Sequence, residues 1–295
     1  MAAPRPVRDL DPFSTEFLTD PYPAYEAMRE TGEVVWLAPY DIWAAARHAS
    51  VSAVLRDAET FCSSAGVGLS NFRTQRPWRR PSPLSEADPP EHSRVRGVVS
   101  RVLSASAINR WGGRIRSVAD EFVARLAHGE PFEAMTDLAN AYPLQMFSEI
   151  FGLPDEHRDS MLRGARIVWN PSSSRTGFAD SAPTDAGPSP EWMLKHCGLD
   201  AFLPGGMGVE IHRHAAAEGF TLQESAVLVR TLLSAGVDTT AHALGNALWC
   251  LATHPEQYAR LHADPSRARA AFEEVLRFES PSPVFFRTTT RGRLR

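Results

Sequence analysis

The sequence predicts a mainly α-helical protein with a small N-terminal β-sheet, and three observations support this prediction. One helical pattern, apolar on nearly every side, extends over residues 221–253. Further helical patterns follow one another beyond Pro89, whereas Val34 to Ala44 has the alternation and central turn of a hairpin. Because 295 residues with 43% apolar and 22% charged side chains can bury a large core, we predict a single domain over residues 1–295.

The predicted elements follow in chain order. Short helices at 23–30 and 51–55 flank the hairpin. The helices predicted beyond Pro89 cover residues 90–103, 106–128, 134–151, 155–170, 190–217, 221–253, 255–263 and 266–279. Two Pro-rich stretches, at 75–85 and 171–190, are predicted to be loops within the domain.

Composition argues against several classes of protein. The 31 basic and 35 acidic residues give a net charge of −4, which does not favour nucleic acid as a partner. The sequence contains no apolar run of about eighteen residues, the length of a membrane span, and its N-terminus lacks the apolar segment of a secretory signal. Three widely spaced cysteines are typical of reduced thiols. We therefore expect a cytoplasmic protein with neither nucleic-acid nor membrane partners.

The long central helix contains an unexpected polar segment. Thr221 and Glu224 have the spacing of a capping box, which predicts where the helix begins. In its middle, Gly236, Asp238 and Thr239 are residues that disfavour a buried helix, because glycine costs about 1 kcal/mol there and the polar side chains compete for backbone hydrogen bonds. Such a segment is either a kink whose polar groups form hydrogen bonds with a neighbouring helix or with water, or a functional site.

The segment Ser234-Ala-Gly-Val-Asp-Thr-Thr240 resembles the central-helix signature of the cytochrome P450 superfamily, the haem-thiolate monooxygenases. The resemblance implies that Ala235 and Gly236 form a groove for dioxygen above the iron of haem b. It also implies that Asp238 is the acid and Thr239 the hydroxyl that relay protons to the bound oxygen. A positioned acid and alcohol suit a reaction that consumes protons.

A second motif begins before the predicted helix at residue 90. Asp88 is a predicted N-cap with Glu91 completing a capping box, and His92 and Arg96, four residues apart, share one helix face. From the residues alone, this helix face either binds a carboxylate group or is a basic surface exposed to solvent. The segment resembles the family's D-P-P-x-H-x-x-x-R, which implies that His92 and Arg96 hold the haem propionates. Arg287, on a predicted strand, resembles a further propionate-binding arginine.

Glu274 and Arg277 match the family's E-x-x-R, although this spacing also occurs elsewhere in the chain. The resemblance implies a buried, structural pair that supports the fold around the haem. No metal ligand is assigned in this chain: His212 and His214 are two residues apart, so a helix would point them in different directions.

The resemblance covers only about the first three-quarters of a typical family member, so we expect a cytochrome P450 fold without its C-terminal quarter. The family's haem-ligand loop, F-x-x-G-x-x-x-C-x-G, is absent from the 295 residues, and by motif Cys62, Cys197 and Cys250 do not replace it. The axial thiolate promotes O–O cleavage. We therefore expect weak haem binding at best, an inactive chain and an exposed apolar face.

Among relatives, the sequence looks most like bacterial members that oxidise para-substituted benzoic acids, which implies hydroxylation or O-dealkylation of a small aromatic substrate such as an aromatic acid. Ser70, Arg230 and Thr231 are candidates for binding the substrate carboxylate, although Arg230 also fits a helix-surface ion pair. Trp169 is a candidate pocket wall or a core residue. Ala65 stands where that subgroup has a basic residue, which weakens the carboxylate prediction.

The resemblance also implies electron transfer from an iron–sulfur ferredoxin, itself reduced by a flavin-dependent ferredoxin reductase. The alternative is a non-catalytic helical protein that binds an apolar ligand or a partner and takes no haem. The missing axial cysteine favours this alternative for the chain as it stands, though not for its ancestry.

Overall fold

A computed structural model describes residues 7–77, 80–127, 130–157, 160 and 190–290. The described part is mainly helical and contains two small sheets, which confirms the predicted fold class. In the N-terminal sheet, β1 (Val7–Arg8) pairs in parallel with β2 (Val35–Leu37), which pairs antiparallel with β3 (Ile42–Ala44). The predicted hairpin is therefore present.

The N-terminal region also contains three short helices. They are α1 (Thr15–Thr19), α2 (Tyr22–Thr31) and α3 (His48–Arg56). A second sheet joins distant parts of the chain, because β4 (Phe61–Cys62) pairs antiparallel with β5 (Thr288–Thr289). Arg287 was expected on a strand and instead immediately precedes β5.

Eight further α-helices follow beyond Pro90 in the described chain. They are α4 (Glu91–Val102), α5 (Ala105–Leu126), α6 (Ala141–Phe151), α7 (Pro190–Lys195), α8 (Met207–Ala217), α9 (Leu222–Thr253), α10 (Pro255–Ala263) and α11 (Ala268–Phe278).

Two predicted helices are divided in the structure. Residues 134–151 form a π-helix, Ala134–Asn140, followed by α6. Residues 190–217 form α7 and α8, separated by a loop in which Gly205 has a φ of +83°, a conformation that glycine adopts readily. Residues 158–159 and 161–170 of the helix predicted at 155–170, and most of the loop predicted at 171–190, lie outside the described residues.

The central helix α9 begins and ends where the sequence predicts. The Thr221 hydroxyl accepts a hydrogen bond from the Glu224 N–H (3.2 Å), and the Glu224 carboxylate accepts one from the Thr221 N–H (2.8 Å). Its side chains Leu228, Leu233 and Val237 are buried in the main hydrophobic core. The helix is continuous through its polar segment, so the observed structure contains no break there.

Gly236 is required by close packing within this helix. A Cβ atom at Gly236 would lie 2.5 Å from Cζ of Phe147 on α6. We predict that Gly236→Ala destabilises the protein by about 1 kcal/mol, because an overpacking cost of about 1–3 kcal/mol exceeds the gain in helix propensity of about 1 kcal/mol. Urea unfolding measures the change.

Gly245→Ala is the matched control on the same helix. There the added Cβ would meet the flexible Met135 side chain, whose Sδ lies 2.6 Å away and can move. We expect this variant to be neutral or more stable than the wild type. Equal destabilisation by both substitutions would contradict the packing argument.

His212 is buried on α8 and makes two hydrogen bonds, one to the turn that follows α7 and one to α9. Its Nε2 lies 2.9 Å from the Cys197 carbonyl oxygen and its Nδ1 2.7 Å from the Ser225 hydroxyl. Burial lowers the pKa of His212, and the Cys197 hydrogen bond and the Asp200 charge offset this only in part. The neutral ring fits both contacts, with Nε2–H donating to the carbonyl and Nδ1 accepting from the hydroxyl.

The lowered pKa of His212 makes stability depend on pH. Between the lowered pKa and the ordinary value near 6.5, the unfolded chain binds a proton at this histidine that the folded chain does not. The free energy of unfolding should therefore fall as the pH drops below about 6.5. Urea unfolding at about pH 7.5 and 5.5 tests this. The decrease in the free energy of unfolding should be smaller in His212→Asn. It should persist in His262→Asn, the control at an exposed position. An unchanged decrease in His212→Asn would refute the assignment to His212.

Candidate active site

A cavity of about 1060 Å³ lies beside the central helix. A volume of this order accommodates a cofactor-sized ligand. Five parts of the chain line the cavity: residues within 12–25, 55–72, 84–92, 235–242 and 281–287. Its apolar lining includes Phe13, Phe17, Leu55, Val67, Phe72, Leu84, Val284 and Phe286.

One face of the central helix, which carries three polar side chains, lines this cavity. Ala235, Asp238, Thr239 and His242 line it, and their spacing of three to four residues places them on one face of α9. The Thr239 hydroxyl donates to the Ala235 carbonyl (2.7 Å), which places a helix carbonyl and a hydroxyl together at the cavity. Gly236 packs against Phe147 and does not line the cavity, so the two predicted groove residues have different environments.

Two of the three predicted propionate-binding residues reach the cavity. His92 and Arg287 both line it and are half-buried. Arg96 is exposed on α4 and is absent from the cavity lining in the described part of the chain. Burial lowers the pKa of Arg287, and the charges of Asp88 and Cys62 offset this only in part. The guanidinium therefore occupies a partly desolvated position in which an anion would be favourable.

Asp88 has a different role from the predicted N-cap. Helix α4 begins at Glu91 with Pro90 in the cap position, and the Asp88 carboxylate instead accepts hydrogen bonds from the N–H groups of Ser63 (2.8 Å) and Ser64 (3.1 Å). Burial alone would raise the pKa of Asp88, but these hydrogen bonds and the Arg287 charge lower it. Asp88 therefore joins the β4 loop to the start of α4 at the edge of the cavity.

Arg230 and Thr231 anchor a loop and do not line the cavity. Arg230 is 1% exposed, and its Nη2 donates to the Arg80 carbonyl (2.9 Å). Thr231 is also buried, donates to the Val227 carbonyl (2.9 Å) and lies 3.2 Å from the Ser82 hydroxyl. Arg230 is consequently buried in the protein interior and not exposed on the helix surface, and it is not among the described residues that line the cavity. Ser70 does line the cavity, and Trp169 lies outside the described residues.

The Glu274–Arg277 pair forms on α11, but it is exposed. The Arg277 Nε and Nη2 donate to the two carboxylate oxygens at 2.8 and 2.7 Å, while the side chains are 60% (Glu274) and 69% (Arg277) exposed. The expected burial is therefore not observed, because no described element covers this face of α11. An exposed pair of this kind contributes little to stability, because solvent screens the two charges.

Large apolar side chains are exposed near the same helices, as predicted. They include Trp249 at 67%, Phe278 at 49%, Val284 at 44% and Phe285 at 60%.

None of the three cysteines is among the described residues that line the cavity. Cys62 and Cys197 are buried, and burial raises the pKa of Cys197 to about 12, so this thiol stays protonated at neutral pH. Burial also raises the pKa of Cys250. In this geometry the cavity receives no thiolate from the described chain.

Sequence reasoning missed two residues that the structure places at or near the site. His242 follows Asp238 by four residues, and helical spacing alone could have indicated that both face the cavity. Asn246 donates to the Glu279 carbonyl (2.9 Å), a contact between residues 33 apart that no local pattern indicates.

The described residues contain no helix with the length and apolar character needed to cross a membrane. Nor do they contain three or more His, Cys, Asp or Glu side chains grouped so as to hold a metal ion.

Comparison with known proteins identifies the family. The model of the cytochrome P450 family matches residues 198–291. Cytochrome p450 CYP199A2 of Rhodopseudomonas palustris is 45% identical over 283 residues, a match that covers 96% of this chain and 69% of that protein. The Erythromycin C-12 hydroxylase of Saccharopolyspora erythraea is 32% identical over 270 residues, which cover 90% of this chain and 66% of that protein.

Solved structures agree with the sequence relatives. Cytochrome P450 CYP109Q5 from Chondromyces apiculatus superposes with a TM-score of 0.75 at 27% identity, covering 95% of this chain and 70% of that one. A mutant of P450 EryK in complex with erythromycin B gives a TM-score of 0.76 at 30% identity, with 93% and 69% covered. From these matches and the shared central-helix motif, the chain belongs to the cytochrome P450 family of monooxygenases.

Proposed function

We propose that this chain forms the haem- and substrate-binding part of a cytochrome P450 monooxygenase, organised as one domain over residues 1–295. The observation that carries the proposal is that Asp238 and Thr239 of the central helix line the same cavity as His92 and Arg287. Motifs separated by up to 195 positions in the sequence thus meet around one space that is large enough for a cofactor.

Haem b fits the donor set of this cavity. Arg287 and His92 would hold its propionates, because a half-buried guanidinium and an imidazole are donors suited to carboxylates. The apolar lining suits the porphyrin faces. Bound haem would supply dioxygen activation, the chemistry that no protein side chain provides.

Asp238 and Thr239 are the proposed proton-relay residues. The Thr239 hydroxyl, which donates to the Ala235 carbonyl, can turn to donate into the cavity, and Asp238 lies beside it on the same face. A carboxyl group and a hydroxyl group that lie next to each other can pass a proton, one after the other, from solvent to a buried acceptor. In a form of the protein that turns over substrate, Thr239→Ala should uncouple oxygen consumption from product formation.

The proposed substrate is a small aromatic compound, such as a para-substituted benzoic acid, which would be hydroxylated or O-dealkylated. The aromatic and aliphatic side chains of the cavity suit such a ring, and Ser70 supplies a polar group. Because Arg230 and Thr231 are engaged with the loop at residues 80–82, they would act on an acid substrate only by holding that loop.

We further propose an iron–sulfur ferredoxin and its flavin-dependent reductase as the electron source, in the cytoplasm. The 295-residue chain by itself should be inactive as a monooxygenase, because no cysteine of the described chain lines the cavity to supply the axial thiolate.

The test compares two proteins: the 295-residue chain, and the same chain extended by the family's axial-cysteine loop and the segment that follows. Both are titrated with haemin, then reduced and exposed to CO. We expect both to bind one haem, and only the extended protein to show the thiolate CO band and to oxidise a para-substituted benzoic acid with ferredoxin and reductase. Failure of the extended protein to show that band would refute the proposal. Failure of both to bind haem would favour a helical binding protein that takes no haem.

A further inference from the structure

The segment that follows α11 is fixed at both of its ends. At its beginning, the Asn246 side-chain amide donates to the Glu279 carbonyl (2.9 Å) and the Tyr22 hydroxyl donates to the Phe278 carbonyl (3.2 Å). At its end, β5 pairs with β4, and the Thr290 N–H donates to the Thr60 carbonyl (2.8 Å). Residues 281–287, between these anchors, all line the cavity.

The anchor at Glu279 matters because helix C-termini leave carbonyl groups without intrahelical partners. Glu279 is the C-terminal cap residue of α11, and its backbone has already left the helical conformation. A hydrogen bond to its carbonyl therefore fixes the direction in which the chain leaves the helix. The donor, Asn246, is part-buried and belongs to a different helix.

Asn246 lies on α9 seven residues, or about two helical turns, beyond Thr239. The helix that carries the proposed proton-relay residues thus also supports the segment that carries Arg287. The position of Arg287 within the cavity wall depends on the course of this segment, since its guanidinium donates to the carbonyl of the neighbouring Phe286 (2.7 Å).

We propose that Asn246 is a positioning residue for Arg287: through the Glu279 carbonyl it sets the course of residues 280–287, so that the Arg287 guanidinium meets a carboxylate ligand in the cavity. This inference rests on the proposed function, in which that ligand is a haem propionate. Asn246 itself does not line the cavity formed by the described residues and touches no ligand there.

The experiment measures the preference of the 295-residue chain for haemin over haemin dimethyl ester, in which both propionates are blocked. The affinity ratio reports carboxylate recognition, whereas a general loss of structure lowers both affinities together. Asn246→Asp keeps the side-chain shape but replaces the donor with a group that repels the Glu279 carbonyl, and Asn246→Ala removes the side chain beyond Cβ. Each should lower the ratio about tenfold. Thr253→Val, which removes a hydrogen bond within the same helix, should leave the ratio unchanged.

The combined variant supplies a second readout. Arg287→Ala should lower the preference at least as much as the Asn246 variants do and leave the part that comes from His92. Adding Asn246→Asp to Arg287→Ala should change the ratio no further, because both act through the same guanidinium. If Arg287→Ala lowers the preference but both Asn246 variants retain it in full, the inference about Asn246 is overturned and the proposed function stands. If the wild type shows no preference for haemin, the propionate assignment fails first, and the inference fails with it.

Discussion

Arg230→Ala should destabilise the chain by about 3–5 kcal/mol, the largest effect that we expect of any single substitution. Arg230 has the largest of the fully buried side chains in the described structure, at 1% exposure, and donates to the carbonyl of Arg80 across 150 positions of sequence. Truncation to alanine would remove the donor of that part-buried hydrogen bond and would leave a cavity in the core.

The measurement is urea unfolding followed by circular dichroism. Arg269→Ala is the control, because its side chain is 91% exposed in a helical pair with Glu273 and should cost less than about 0.5 kcal/mol. Arg230→Met, which refills part of the volume without the charge, should recover part of the loss. A change below about 1 kcal/mol in Arg230→Ala would show that the buried arginine does not hold the loop.

Arg287→Ala should weaken haemin binding by about 10- to 100-fold, whereas Arg96→Ala should change it less than about threefold. The two arginines are equivalent in the sequence argument, since each matches a propionate-binding position of the family. The structure separates them: Arg287 is half-buried in the cavity wall, and Arg96 is exposed on α4 outside it. A charge-assisted hydrogen bond to a propionate in a partly desolvated site accounts for the larger effect.

Titration of each variant with haemin at matched ionic strength gives the two affinities. His92→Ala, from the same helix as Arg96 but at the cavity, should resemble Arg287→Ala in direction. A larger loss in Arg96→Ala than in Arg287→Ala would contradict the arrangement of the cavity. Equal and small losses in both would mean that the propionates are not recognised here.

Local signals made the central helix predictable. The capping box at Thr221 and Glu224 and the proline at position 255 mark its ends, and its all-round apolar pattern indicates burial in the core. By contrast, the helix predicted at 190–217 is divided: α7 ends at Lys195, and α8 begins only at Met207, after a stretch that contains Gly198, Gly205 and Gly206. Helical periodicity on both sides of that stretch concealed the break.

Site residues could be predicted where a short motif lies on one helix. They were predicted less well where the contacts of a side chain depend on elements distant in the sequence. Asp238, Thr239 and His92 were placed by short motifs on helices, and all three line the cavity. Arg230 is a sequence candidate for the substrate carboxylate because the resemblance to benzoate-oxidising members implies polar groups from the central helix. Its actual contact, with the carbonyl at residue 80, depends on how a loop of the N-terminal half packs against the helix.

Asp88 is a second residue whose contacts could not be predicted from the neighbouring sequence. Its spacing to Glu91 is that of a capping box, but the helix begins two residues later than such a box requires, and the carboxylate is free to bind the N–H groups of Ser63 and Ser64. Pairing between β4 and β5 brings that loop beside Arg287. No pattern within residues 85–96 encodes this pairing.

The most direct test of the account is haemin titration of a chain whose cavity is filled from the central helix. Ala235 lines the cavity on the face shared with Asp238, so Ala235→Phe places an aromatic ring in the space proposed for haem. Ala252→Phe, at an exposed position on the same helix, is the matched control. We predict that Ala235→Phe remains folded and loses haemin binding while Ala252→Phe binds like the wild type. Undiminished binding by folded Ala235→Phe would show that this cavity is not the haem site.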